Sequence, residues 1–220
     1  GGGWETNIYM EISTGSGFSS QAWPANTPGH MRNGGSTNDY VLLSGDFNGD
    51  GKSDFVTVSK NASGAWGTEL FAEISTGSGF SSQAWPANLP MHMRNGGSSM
   101  DYSVVSGDFN GDGRTDLAAV SKNAGGAWGT GLFAELSTGS GFSSRSWAAD
   151  TPIHMRNGGS DMHYVVLSGD FNGDGKADIA TVSKDAGGSW TSWFAVELSN
   201  GDGLTSTAWV TGTPQSMRDG

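Results

Sequence analysis

The chain contains no cysteine, which excludes both disulfides and thiolate metal sites. It has no apolar run long enough to span a bilayer. No signal peptide is visible, although a mature secreted chain would have lost one. Basic residues are scarce: 11 Lys and Arg stand against 22 Asp and Glu, for a net charge of −11. That balance disfavours nucleic acids and anionic membrane surfaces as partners. Charged residues amount to only 15% of the chain, yet its nine tryptophans argue against disorder. Helical periodicity with caps is missing throughout. At 220 residues the chain is long enough to bury a sizeable core.

What the chain has is repetition. The stretch Gly45-Asp46-Phe47-Asn48-Gly49-Asp50-Gly51-Lys52-Ser53-Asp54 returns almost unchanged from Gly107 and from Gly169, 62 residues apart each time. Trp4, Trp66, Trp128 and Trp190 share one phase of this period, as do Glu11, Glu73, Glu135 and Glu197, and Trp23, Trp85, Trp147 and Trp209. The segment His30-Met31-Arg32-Asn33-Gly34 comes back at His92 and His154, and as Ser216-Met217-Arg218-Asp219-Gly220. A fixed period of this size marks a tandem array of one supersecondary unit. The array holds about three and a half units, divided here as a half unit with linker over 1–38 and full units over 39–100, 101–162 and 163–220.

Each unit reads as four short strands. In the second, Tyr102–Ser106 enters the acidic loop, and Leu117-Ala118-Ala119-Val120-Ser121 leaves it. Asn123-Ala124-Gly125-Gly126-Ala127 is a turn cluster. Leu132–Ser137 alternates, with Leu132, Ala134 and Leu136 on one face. Thr138-Gly139-Ser140-Gly141 turns the chain into Phe142–Trp147. Four antiparallel strands in 62 residues is the size of a propeller blade, so the fold class expected is an all-β propeller.

The acidic loop points to a hard cation. Side-chain oxygens fall at alternating positions, Asp46, Asn48, Asp50 and Asp54; the Lys52 carbonyl can add another, and Gly51 allows the sharp reversal. Three carboxylates and an amide suit calcium better than magnesium. The loop begins like an EF-hand, but its twelfth position is Thr57, Ala119 or Thr181 and never glutamate, and a strand follows. The three loops hold nine of the 22 acidic residues; three divalent ions would bring the charge from −11 to −5. The alternative is three aspartate-rich turns without metal, in which like charges would repel.

The loop followed by an apolar strand resembles the FG-GAP/VCBS repeat, a family that includes the calcium-binding blades of integrin α-subunit propellers and many secreted proteins. Ser75-Thr76-Gly77-Ser78-Gly79-Phe80 also looks like that family's strand-turn-strand close. The resemblance implies calcium in the hairpin between strands one and two of each blade, three sites in all. The ligands by match are Asp46, Asn48, Asp50, the Lys52 carbonyl and Asp54. Their equivalents are Asp108, Asn110, Asp112, Arg114 and Asp116, then Asp170, Asn172, Asp174, Lys176 and Asp178. Each loop is saturated by its own ligands, so the expected role of calcium is structural.

In an up-and-down blade, the linkers and the loops between strands two and three emerge on the face opposite the acidic loops. That face would gather His30, Arg32, Asn33 and Trp66, with His92, Arg94, Asn95 and Trp128, and His154, Arg156, Asn157 and Trp190. Planar donors beside an aromatic face suit a sugar, and repeated weak sites give avidity. The alternative for the arginines is a brace, with Arg94 pairing Glu73 or Glu135 between blades; for the tryptophans it is filling of blade junctions. Nearly every candidate is copied per repeat, whereas catalysis needs an asymmetric convergence, so no enzyme is expected. The expected function is a non-catalytic, calcium-stabilised, multivalent carbohydrate-binding protein, a lectin, acting on glycans and secreted. The alternative is an FG-GAP adhesion or protein-interaction module, or a fragment of a larger secreted protein. Unpaired strand edges and an apolar end face further predict a homo-oligomer. Asn61-Ala62-Ser63 fits an N-glycosylation acceptor, a motif common by chance.

Overall fold

The computed structural model describes residues 7–24, 40–60, 66–86, 101–122, 128–148, 163–184 and 190–210. They form fourteen strands: β1 (Asn7–Ser13), β2 (Phe18–Pro24), β3 (Tyr40–Gly45), β4 (Asp54–Lys60), β5 (Trp66–Ser75), β6 (Phe80–Pro86), β7 (Asp101–Gly107), β8 (Asp116–Lys122), β9 (Trp128–Ser137), β10 (Phe142–Ala148), β11 (His163–Gly169), β12 (Asp178–Lys184), β13 (Trp190–Ser199) and β14 (Leu204–Val210). β1 and β2 pair alone. The others make three antiparallel sheets, β3 to β6, β7 to β10 and β11 to β14, each in sequence order. The fold is all-β, built of propeller blades.

Strand alternation explains why these sheets stack. A strand sends successive side chains to opposite faces, and here both faces carry apolar residues. Phe47, Val56, Leu70, Ala72 and Trp85 of one sheet meet Leu117, Ala119 and Phe142 of the next in one buried cluster. Phe109, Ala118, Ala134, Leu136 and Trp147 meet Ala177, Ile179 and Leu204 at the following junction. Phe142 sits 6.0 Å from Phe47 and 5.4 Å from Trp85 between ring centres. Tilted and edge-on aromatic contacts of this kind add to the burial itself. The first strands of successive sheets are also stitched side by side: Ser106 Oγ donates to the Ser44 carbonyl, and Ser168 Oγ to the Ser106 carbonyl.

One element is longer than the sequence pattern indicates. The third strand begins at Trp128 rather than Leu132, and its counterparts begin at Trp66 and Trp190. The pairing shifts register between Val120 and Lys122 before Lys122 meets Trp128. Gly129, Thr130 and Gly131 interrupt the apolar alternation there, so the sequence carries no strand signal although backbone pairing continues.

Candidate functional site

Each acidic loop joins the first two strands of a sheet and is organised by its own carboxylates. In the first, Asp46 Oδ1 accepts the N–H groups of Gly49 and Asp50 at 2.7 and 3.0 Å, and Oδ2 accepts that of Gly51 at 2.7 Å. Asn48 Oδ1 accepts the same Asp50 N–H at 2.9 Å, which brings the Asp46 and Asn48 oxygens onto one donor. Asp50 Oδ1 accepts the Lys52 N–H at 2.9 Å, and its Oδ2 pairs with Lys52 Nζ at 2.8 Å. Gly49 and Gly51 have φ of 78° and 83°, the left-handed region that the tight fold of the loop requires and that side chains resist. Asp108, Asn110, Asp112 and Arg114 repeat the pattern, as do Asp170, Asn172, Asp174 and Lys176.

The ninth position behaves differently. Asp54 is 2% exposed, and its two oxygens accept the N–H of Phe47 at 3.1 Å and of Ser75 at 2.8 Å. It ties the loop to the turn that ends the third strand. Asp116 does the same with Phe109 and Ser137, and Asp178 with Phe171 and Ser199. Burial raises the pKa of Asp54, and Asp50 and Asp46 push it further up. Burial lifts Asp116 to about 7, with Asp112 and Asp108 adding to the rise. Asp50 is held low by its hydrogen bond to the Lys52 amine, and Asp174 by its bonds to Lys176, the backbone N–H first.

Each of the first two loops also joins neighbouring sheets. The Thr115 N–H donates to the Asp46 carbonyl at 2.7 Å, and Ser137 Oγ to the Phe47 carbonyl at 2.6 Å. Ala177 and Ser199 repeat these bonds to Asp108 and Phe109. Contact is close enough that a Cβ on Gly107 would lie 2.5 Å from that of Ala177.

The structure thus brings Asp46, Asn48 and Asp50 together around one loop and sets Asp54 at its base. The side-chain acceptors of the loop are oxygens, and the raised pKa values of Asp54 and Asp116 come first from burial, with the neighbouring carboxylates adding to it. Among the described residues, no group of three or more His, Asp and Glu side chains is assembled to hold a metal ion.

The opposite end of the sheets is only partly described. Trp66, Trp128 and Trp190 open β5, β9 and β13, paired with Lys60, Lys122 and Lys184 at the end away from the acidic loops. His30, Arg32, Asn33, His92, Arg94, Asn95, His154, Arg156 and Asn157 lie outside the described residues, and so does the expected Arg94 brace. The glutamates named for that brace are described. Glu73 and Glu135 are buried in blade junctions, each accepting a 2.5 Å bond from a fourth-strand hydroxyl, Ser82 or Ser144. One oxygen of each, Oε1, has no hydrogen-bond partner among the described residues. The serine partners were missed in the sequence, although their nine-residue spacing from the glutamates recurs in every repeat.

A stack of four-stranded blades with this acidic hairpin defines a repeat propeller. Residues 46–119 match the FG-GAP-like repeat, and residues 164–191 match the FG-GAP repeat. The two matches support an FG-GAP-type repeat propeller family for the chain. No curated protein matches it in sequence. Among solved structures it is similar to a lectin from Agrocybe aegerita described as specifically recognising non-reducing terminal N-acetylglucosamine. The identity is 18% and the TM-score 0.61, over 93% of this chain and 46% of that one. The likeness is one of fold, and the chain spans less than half the length of that lectin.

Proposed function

We propose that the chain is a non-catalytic, extracellular carbohydrate-binding protein whose acidic loops hold calcium. The observation that carries the sugar reading is the placement of Trp66, Trp128 and Trp190. One tryptophan opens the third strand of each complete sheet, in one register, at the end away from the acidic loops. In sequence each repeat adds a His-Met-Arg-Asn segment, so one aromatic and a set of planar donors recur with every blade. Weak sites repeated in this way suit multivalent glycans. The fold shared with a sugar-recognising lectin supports the same reading.

Calcium would be held by Asp46, Asn48, Asp50, the Lys52 carbonyl and Asp54, and by their equivalents in the other two loops. Its contribution is positive charge among carboxylates that otherwise repel. The protein's own residues do the rest: Asp46 folds the loop through three N–H groups, and Asp54 anchors it to the hairpin turn.

Titration calorimetry with a glycan bearing terminal N-acetylglucosamine, alongside a broad glycan array, tests the sugar reading. Binding is expected, and Arg94→Ala with Asn95→Ala should weaken it while leaving the melting midpoint in place. Lost stability with intact binding would assign these residues to a blade brace. A well-folded protein that binds no glycan on the array would instead favour an adhesion or protein-interaction module.

A further inference from the structure

The two faces of the β1–β2 sheet have different surroundings. Trp23, on one face, is buried 5.3 Å from Phe80 of the adjoining sheet. The other face carries Tyr9, Glu11, Phe18 and Ser20, because these positions alternate with Trp23 and face one another across the pair, Glu11 opposite Ser20. Tyr9 is 66% exposed and Phe18 is 72% exposed. Among the described residues, no sheet covers them.

The same face recurs, covered, one and two repeats later. Phe18 is in register with Phe80 and Phe142, and Glu11 with Glu73 and Glu135. Phe142 is buried against Phe47 and Trp85 of the preceding sheet, while Glu73 and Glu135 are sealed in their junctions. The covering surface therefore has a known composition: a loop phenylalanine and a fourth-strand tryptophan. In sequence the same two residue types recur once more in the repeat of β11 to β14, as Phe171 and Trp209. Phe171 holds the position of Phe47 and Phe109 but is only partly buried where they are fully so, and Trp209 is in register with Trp85 and Trp147.

We propose that the Tyr9/Phe18 face docks a second copy of this chain, through the β11–β14 sheet around Phe171. The contact is a continuation of the internal blade junction, with a known covering surface whose two residue types recur on the same molecule. It is heterologous, head to tail, so closure into a ring or growth into a longer array depends on the angle between copies. Docking would bury Glu11, which hydrogen-bonds Ser20 as Glu73 bonds Ser82.

Sedimentation velocity over a micromolar concentration series tests this, with calcium present and with free N-acetylglucosamine in excess to exclude cross-linking through glycans. The unmodified chain should associate. Phe18→Asp should weaken association by about tenfold or more, the loss expected when an aromatic anchor is removed. At concentrations too low for association its thermal melt should match the parent's, because Phe18 is exposed in the single chain. Glu11→Gln removes the charge that docking would bury and should strengthen association. A monomer throughout the series would overturn the proposal. So would association that survives Phe18→Asp, or that weakens in Glu11→Gln.

Discussion

At the scale of single residues, the glutamates inside the blade junctions set a pH dependence that the surface does not reveal. Glu135 is 3% exposed, and burial raises its pKa to about 6 against an ordinary 4.5, opposed only in part by the Ser144 hydroxyl. The folded state then holds a proton that the unfolded chain has released. Stability contributed by this group is present below about pH 4.5 and is lost as pH rises through about 6, the reverse of a salt-bridged carboxylate. The gap of about 1.5 units corresponds to about 2 kcal/mol. Glu135→Gln keeps an acceptor for Ser144 and removes the charge. Its melting midpoint should match the parent near pH 4 and exceed it near pH 8. A constant difference across that range would show that the carboxyl binds its proton equally in the folded and unfolded chains, so that burial does not shift it. The repeated glutamate was legible in the sequence as a phase of the 62-residue period, and its place between blades only through the alternative reading of Arg94 as a brace. Its serine partner was not, because serine at a strand position carries no signal until the register places it opposite.

At the scale of the hairpin, the acidic loop and the strands beside it hold different amounts of readable information. The tight turn of the loop was legible in its alternating Asp and Asn positions and in its glycines, which the fold places in the left-handed region. The function of its ninth position was only half so. Asp116 matches a cation ligand in sequence, yet in the fold it is the peg that fastens the loop to the β9–β10 turn, through Phe109 and Ser137. No local pattern announces a bond between Asp116 and a residue 21 positions away. Asp116→Asn tests the peg with almost no change of shape. The amide can present an oxygen to one N–H but must turn its NH₂ on the other, leaving a buried donor unmatched. A loss of about 1–3 kcal/mol is expected in a denaturant titration. If the variant is as stable as the parent, the two backbone bonds are dispensable. The start of the third strand was unreadable for a different reason: Gly129 and Gly131 are poor strand formers, and pairing holds that segment in the sheet, Trp128 with Lys122 of β8 and Gly131 with Ala148 of β10.

At the scale of the whole molecule, the three loops are alike in sequence but not in position. The loop at Asp46 accepts hydrogen bonds from Thr115 and Ser137 of the next sheet, and the loop at Asp108 accepts them from Ala177 and Ser199. The loop at Asp170 has no such bonds from another sheet among the described residues. A cation in either of the first two would therefore steady a blade junction as well as a hairpin, whereas one in the third would steady a hairpin alone. Ligand linkage makes the first part testable: chelation of tightly held calcium should lower the melting midpoint, and restored calcium should raise it again. The paired variants make the second part testable. Asp108→Asn with Asp112→Asn should cost more stability than Asp170→Asn with Asp174→Asn, although the two replacements are chemically the same. Both should also reduce the drop caused by chelation, since each removes one site's share. An unchanged midpoint after verified metal removal would sink the calcium reading altogether. Equal losses from the two pairs would leave calcium in place but show that the loops act within their own hairpins and not across the junctions.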